Sequence, residues 1–218
     1  MDNIAKVIDS TLLRPDATGE DIVRLCQEAK RYGFFAVSIQ PYWVGLAKEI
    51  LKDSEVKVDS VVGFPFGAET TKIKTLQTQE LIDRGADEID MVQNIGELKS
   101  KNYKAVRDDI ASVVKTAPGR IVKVIIESGL LTKDEIVISC KIAEEAGADF
   151  VKTSTGFFGK GATKEDVELM HKTVKIGVKA AGGIRDLKTL KELLKVGATR
   201  IGTSAAKRIM EEFLRKEE

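Results

Sequence analysis

Histidine is nearly absent from this 218-residue chain, with His171 its one copy. Zinc sites that need two or three imidazoles are thereby excluded. A Ser-His-Asp triad would have to rest on His171, inside a predicted helix. Cysteine is almost as scarce. Cys26 and Cys140 stand far apart, each within a helical pattern, which suggests small buried hydrophobes in a reducing compartment. No run approaches the roughly 18 apolar residues of a membrane span, and Met1-Asp2-Asn3-Ile4 lacks the charged-then-apolar order of a secretory leader. A soluble, cytoplasmic protein with no membrane partner is expected. An excess of one charge is missing too: 35 Lys and Arg face 34 Asp and Glu, for a formal net charge of +1. Basic and acidic residues are interspersed, so the clustered positive face that nucleic acid requires is not expected. There is no Pro/Ser-rich linker and no low-complexity stretch, so residues 1–218 read as one domain. A chain of this length buries roughly 70% of its unfolded surface and needs no disulfide or metal staple. An enzyme with this composition runs mainly on lysine and carboxylate chemistry.

What the chain does contain is a repeated pattern of helix, glycine and short apolar strand. It appears at Gly33-Phe34-Phe35-Ala36, Gly85-Ala86-Asp87-Glu88, Gly147-Ala148-Asp149-Phe150 and Gly197-Ala198-Thr199-Arg200. Glycine past the last turn accepts the left-handed conformation that closes a helix. Capping boxes are expected where Thr18 precedes Asp21, Thr132 precedes Glu135 and Thr163 precedes Asp166. A helix near the C-terminus carries Leu187, Leu190 and Leu194 on one face. Between the helices the sequence predicts eight strands, near 6–10, 34–39, 57–63, 87–92, 121–127, 149–154, 175–181 and 199–203. Strands that alternate with helices and are apolar on both faces imply a parallel sheet with right-handed crossovers. Eight such units without a break favour an α/β fold of the closed (β/α)8 type, a TIM barrel. A doubly wound open sheet is the second reading and would normally use fewer strands.

Barrel active sites lie at the C-terminal ends of the strands. That rule selects Asp9, Ser38, Phe64, Asp90, Glu127, Lys152, Lys179 and Ser204, with Lys123 a third strand lysine. A single lysine between apolar neighbours is ordinarily a side chain reaching for solvent. Two or three at neighbouring strand ends call for another explanation, because each is costly unless paired or used. Desolvation and a neighbouring cation favour the neutral amine. Such an amine attacks a carbonyl, and the resulting Schiff base accepts electrons from an adjacent C–C bond. Asp90 is the best-placed proton carrier; paired with Lys179 or Lys123 it is equally a buried salt bridge. Glu127 reads either as a similar partner or as a structural carboxylate. Gly156, the Gly159-Lys160-Gly161 turn, Gly182, Gly183 and Ser204 fall in the last three loops, where backbone N–H groups can cradle a phosphate.

The strings Phe150-Val151-Lys152-Thr153-Ser154-Thr155-Gly156-Phe157 and Val178-Lys179-Ala180-Ala181-Gly182-Gly183-Ile184-Arg185 resemble those of the deoxyribose-phosphate aldolases. Glu88-Ile89-Asp90-Met91-Val92, Val62-Gly63-Phe64-Pro65-Phe66-Gly67, Lys123-Val124-Ile125-Ile126-Glu127 and Asp9 followed by Thr11-Leu12-Leu13 extend the resemblance over essentially the whole chain. It implies reversible cleavage of 2-deoxy-D-ribose 5-phosphate to D-glyceraldehyde 3-phosphate and acetaldehyde, with no metal or organic cofactor. It further implies Lys152 as the Schiff-base lysine, Lys179 as its cationic neighbour and Asp90 as the proton-transfer carboxylate, acting through a water. Lys123 and Asp9 would complete the polar network, and Gly182, Gly183 and Ser204 would hold the phosphate of the phosphosugar. A homo-oligomer, dimer or tetramer, goes with the family. The family commonly has His, Cys and Asn where this chain has Ser10, Ser38 and Gln40; Gln93, Ser128-Gly129 and Ala205 also depart from it. These positions are expected to line or flank the pocket. The tyrosine that ends some family members has no counterpart in Phe213-Leu214-Arg215-Lys216-Glu217-Glu218. Another lysine-dependent phosphosugar aldolase and a non-catalytic phosphosugar-binding barrel are the alternatives.

Overall fold

Eight parallel strands close on one another in chain order, and the last pairs with the first. A computed structural model describes residues 4–215; the two chain ends, on which the leader and tyrosine expectations fall, lie outside the described residues. The strands are β1 (Ile8–Leu12), β2 (Ala36–Ile39), β3 (Lys57–Val62), β4 (Glu88–Val92), β5 (Ile121–Ile125), β6 (Phe150–Lys152), β7 (Gly177–Ala181) and β8 (Arg200–Thr203). Each expected strand is present, and the fold is the (β/α)8 barrel rather than an open sheet. The first strand starts two residues late, because Ile4–Val7 form a 3-10 turn with Ile4 and Ala5 fully buried.

Helices α1 (Gly19–Tyr32), α2 (Val44–Leu51), α3 (Thr71–Asp83), α4 (Ile95–Lys99), α5 (Tyr103–Thr116), α6 (Lys133–Glu145), α7 (Lys164–Thr173), α8 (Leu187–Lys195) and α9 (Ala206–Leu214) lie between and after the strands. Thr18 and Thr132 form complete capping boxes with Asp21 and Glu135. Thr163 forms only half of one. Its hydroxyl accepts from the Asp166 amide, but the Asp166 carboxylate accepts from Ser128 Oγ at 3.2 Å and from Lys133. The glycines at 33, 85, 147 and 197 all take positive φ, as the helix–glycine–strand pattern requires. On α8 the buried stripe is Leu187, Leu190 and Leu193, with Leu194 only partly covered; one residue of rotation around the helix separates this from the expected face.

The outward residues of each strand and the inward stripes of the helices make the apolar core, with Ile22, Ile89, Met91, Ile110 and Met170 at zero exposure. Burying each such side chain contributes about 1.5–3 kcal/mol. Cys26 and Cys140 belong to this shell, free and buried, and burial pushes both thiols up to about 12. No helix among the described residues is long and apolar enough to cross a membrane. The inward residues are a different population. Alternation along a strand sends every second side chain into the barrel, and there the chain places charges.

Candidate active site

Asp9, Asp59, Glu88 and Asp90 share the barrel interior with Lys123, Lys152, Lys179 and Arg200. Contacts between distant strands show that they meet across the lumen: Asp59 of β3 accepts from Lys179 of β7 at 3.0 Å. Lys179 Nζ lies 2.6 Å from Asp9, 3.0 Å from Asp59 and 2.8 Å from Asp90. Lys123 Nζ is surrounded in the same way by Asp59 at 3.0 Å, Glu88 at 2.8 Å and Asp90 at 2.8 Å. Each of these lysines donates hydrogen bonds to Asp59 and Asp90 and has a third carboxylate in ionic contact, so both are enclosed by negative charge. Lys152 has one such partner, Asp90 Oδ2 at 2.6 Å.

The electrostatics separate the three lysines. Burial favours the neutral amine in all of them. At Lys179 the pull of Asp59, Asp9 and Asp90 overcomes it and holds the group well above its ordinary range. Lys123 is raised in the same way by Asp59 and Asp90. Lys152 moves in the opposite direction. Burial, helped by the cation of Lys179 and opposed by Asp90, lowers it. Asp90, buried yet facing Lys123, Lys152 and Lys179, stays well below the usual carboxylate range.

Above Lys152 opens a cavity of about 340 Å³, walled by the loops after β1, β6, β7 and β8. Lys152, Gly156, Gly182, Gly183 and Ser204 all line it, so the expected nucleophile and the expected phosphate loops share one space. Asp9, Asp90, Lys123 and Lys179 do not line it. They belong to the layer beneath, because β1, β4, β5 and β7 extend beyond them. The Gly159-Lys160-Gly161 turn does not line it either and instead supports the wall. A Cβ on Gly161 would sit 2.1 Å from the Gly182 carbonyl, which accepts from the Ala162 amide at 3.0 Å.

Glu127 is fully buried with φ 54°, an uncommon conformation for a side-chain-bearing residue. Its Oε2 accepts from the Thr155 amide at 3.0 Å and from the Thr155 hydroxyl. It therefore braces the loop that carries Thr155 and Gly156 to the cavity. Ser10, Ser38, Gln40, Gln93 and Ser128 do not line the cavity. Gln40 donates to the Leu13 carbonyl at 2.8 Å, and Gln93 donates to that of Ile126 at 2.8 Å. Ser38 is buried with no partner for its hydroxyl.

Asp59, Glu88 and Arg200 were not selected by strand-end reasoning. A signal was available at Asp59, a charge between the buried Val58 and Ser60 as Lys152 is between Val151 and Thr153; Glu88 and Arg200 open their strands and each has one neighbour that is not buried. Arg200 closes the bottom of the cluster, bonded to Asp9 at 2.9 Å and Glu88 at 3.1 Å and stacked 3.4 Å over the Phe35 ring. Arg200→Met is expected to cost about 3–5 kcal/mol, because it leaves buried carboxylates without their cation. A urea midpoint equal to that of the parent would contradict this.

The family model for DeoC/LacD family aldolases matches residues 4–209. The deoxyribose-phosphate aldolase of Thermococcus kodakarensis is 55% identical over 214 residues, covering 95% of this chain and 96% of that protein. That of Geobacillus sp. (strain WCH70) is 54% identical over 212 residues, covering 96% and 95%. The solved tetrameric deoxyribose-phosphate aldolase from Aeropyrum pernix superposes with a TM-score of 0.91 at 36% identity, over 96% of this chain and 90% of that one. A lysine with a single ionic partner at the floor of a glycine-walled cavity, on a barrel of this kind, is the setting of an amine-dependent aldolase, and the chain belongs to the DeoC/LacD family of aldolases.

Proposed function

We propose that the chain reversibly cleaves 2-deoxy-D-ribose 5-phosphate to D-glyceraldehyde 3-phosphate and acetaldehyde through a Schiff base on Lys152. The observation that carries the reading is the contrast between Lys152 and its neighbours. It is the lysine whose amine has open valence toward the cavity and whose environment favours the neutral form. The amine adds to the C1 aldehyde of the open-chain sugar, and loss of water gives an iminium. Removal of the proton on the C3 hydroxyl then breaks the C2–C3 bond, whose electrons flow into the iminium and leave an enamine. The C3 fragment departs as D-glyceraldehyde 3-phosphate. Protonation of the enamine and hydrolysis release acetaldehyde and restore the lysine. Asp90 is the proton-transfer carboxylate in this reading, since its Oδ2 is 2.6 Å from Lys152 Nζ. Lys179 keeps a positive charge beside the nucleophile, and Lys123 and Asp9 hold Asp90 and Lys179 in place.

Gly156, Gly182, Gly183 and Ser204, which line the same cavity as Lys152, are assigned to the phosphate. Gly182 has φ 92°, and a Cβ there would lie 2.9 Å from the Gly161 Cα. Gly182→Ala is expected to raise KM for the phosphorylated sugar roughly tenfold with a smaller change in kcat, the mark of lost ground-state binding. Activity on unphosphorylated 2-deoxyribose should change little; an equal loss on both sugars would remove the phosphate assignment. A homo-oligomer is part of the same reading, supported by the tetramer of the Aeropyrum pernix relative and by the exposed Tyr42, Phe66 and Leu76.

Borohydride reduction in the presence of acetaldehyde, followed by peptide mapping, tests the nucleophile. An adduct on Lys152 is expected; one on Lys123 or Lys179, or none, would overturn the assignment. Running the synthetic direction with acetaldehyde against dihydroxyacetone phosphate as donor tests the substrate class, and preference for the latter would move the chain to another aldolase activity.

A further inference from the structure

Asp59 touches neither Lys152 nor the cavity, and it is one of three carboxylates around each of Lys123 and Lys179. Without it Lys123 would keep Glu88 and Asp90, and Lys179 would keep Asp9 and Asp90. Its two contacts, both 3.0 Å, are the longest of the lysine–carboxylate contacts in the cluster, where the others are 2.6–2.8 Å. What Asp59 adds is a fourth negative charge.

That charge matters because every member of the cluster is buried. Around Asp59 stand Asp9 on β1, the neutral Ser38 on β2, Glu88 and Asp90 on β4, Lys123 on β5, Lys152 on β6, Lys179 on β7 and Arg200 on β8. With every group ionised, four carboxylates balance four cations. The attacking form of Lys152 is the free amine, and losing its proton to solvent would leave one uncompensated buried negative charge. A buried group takes up a proton rather than carry such a charge. Among the four carboxylates Asp59 makes the longest lysine contacts. Burial and the nearby Asp90 push its carboxyl up to about 6, against the pull of Lys123 and Lys179.

We propose that Asp59 is a positioning residue that stores the proton Lys152 gives up, so that the amine can attack while the cluster stays neutral. The inference rests on Lys152 being the nucleophile. A continuous relay links the two groups: Lys152 Nζ to Asp90 Oδ2 at 2.6 Å, Asp90 Oδ2 to Lys179 Nζ at 2.8 Å, and Lys179 Nζ to Asp59 Oδ2 at 3.0 Å. One proton leaves Lys152 and one arrives on Asp59, while Asp90 and Lys179 end as they began. After the amine has added to the aldehyde, the same proton returns along the relay and leaves with the carbinolamine hydroxyl as water. The nitrogen becomes a cationic iminium, Asp59 is ionised again, and charge and atoms balance.

The test is the pH dependence of acetaldehyde trapping on Lys152 with cyanoborohydride, in the parent and in Asp59→Asn, with Asp59→Ser as the second neutral variant. Both lysines retain two carboxylates in either variant. Removing the negative charge favours neutral Lys152, so the rising limb should move toward lower pH by about one unit. The plateau should fall roughly tenfold or more, because the proton that expels water must then come from solvent. A purely structural role would lower the rate without moving the limb. A limb that stays in place, or a plateau that does not fall, overturns the proposal. Absence of any Lys152 adduct in the parent instead overturns the nucleophile assignment on which it rests.

Discussion

Lys152→Leu should lower kcat/KM for 2-deoxy-D-ribose 5-phosphate by on the order of 10⁴-fold or more, since removing a covalent nucleophile leaves only binding and positioning. No other amine can substitute. Lys123 and Lys179 each face three carboxylates within 3.0 Å, and both are held protonated. The variant should still fold, but it removes one of the four buried cations and should melt below the parent, by less than Lys179→Leu does. Lys152 has one ionic partner, and Asp90 retains Lys123 at 2.8 Å and Lys179 at 2.8 Å once Lys152 is gone. Near-complete loss of activity with a modest fall in melting temperature is the expected pair of results. Residual turnover within about tenfold of the parent would mean that another group forms the Schiff base.

The barrel was legible in the sequence because parallel strands covered on both faces leave near-continuous apolar runs, and threonine and glycine mark where the helices between them begin and end. Where expectations slipped, a local competition explains it. Asp166 caps with its amide but gives its carboxylate to Ser128 and Lys133, which a capping motif alone does not reveal. The site was legible in part for the same kind of reason. Alternation along a strand says which side a residue faces, but not how far below the rim it lies. Asp9, Asp90 and Lys179 were therefore expected at strand ends, although they form a buried layer under the cavity and only Lys152 reaches it. Asp59, Glu88 and Arg200 were missed because a search limited to strand ends passes over a charge at or near a strand's start. The exclusions drawn from scarce histidine and balanced charge stand beside a further fact about that balance. The near-zero total is reproduced locally, in four acids and four bases with hardly any access to water.

That local balance gives Lys179→Leu a large expected effect on stability. The substitution strips a cation from Asp9, Asp59 and Asp90 at once, and an uncompensated buried charge costs about 3–5 kcal/mol. Its effect on activity has a defined sign. Lys179 is one of the causes that lower Lys152, so without it Lys152 binds its proton more tightly and the rising limb of the pH–rate profile moves to higher pH. Asp59→Asn alters the same cluster in the opposite direction, and the double variant Lys179→Leu/Asp59→Asn restores equal numbers of acids and bases. Denaturation of the four proteins of the cycle should then show a coupling of about 1–3 kcal/mol, the double variant being more stable than Lys179→Leu alone. Its limb should lie between those of the single variants. Additive losses would mean that each residue stabilises the barrel through its own packing, and that the balance of charge around Lys152 is incidental to both.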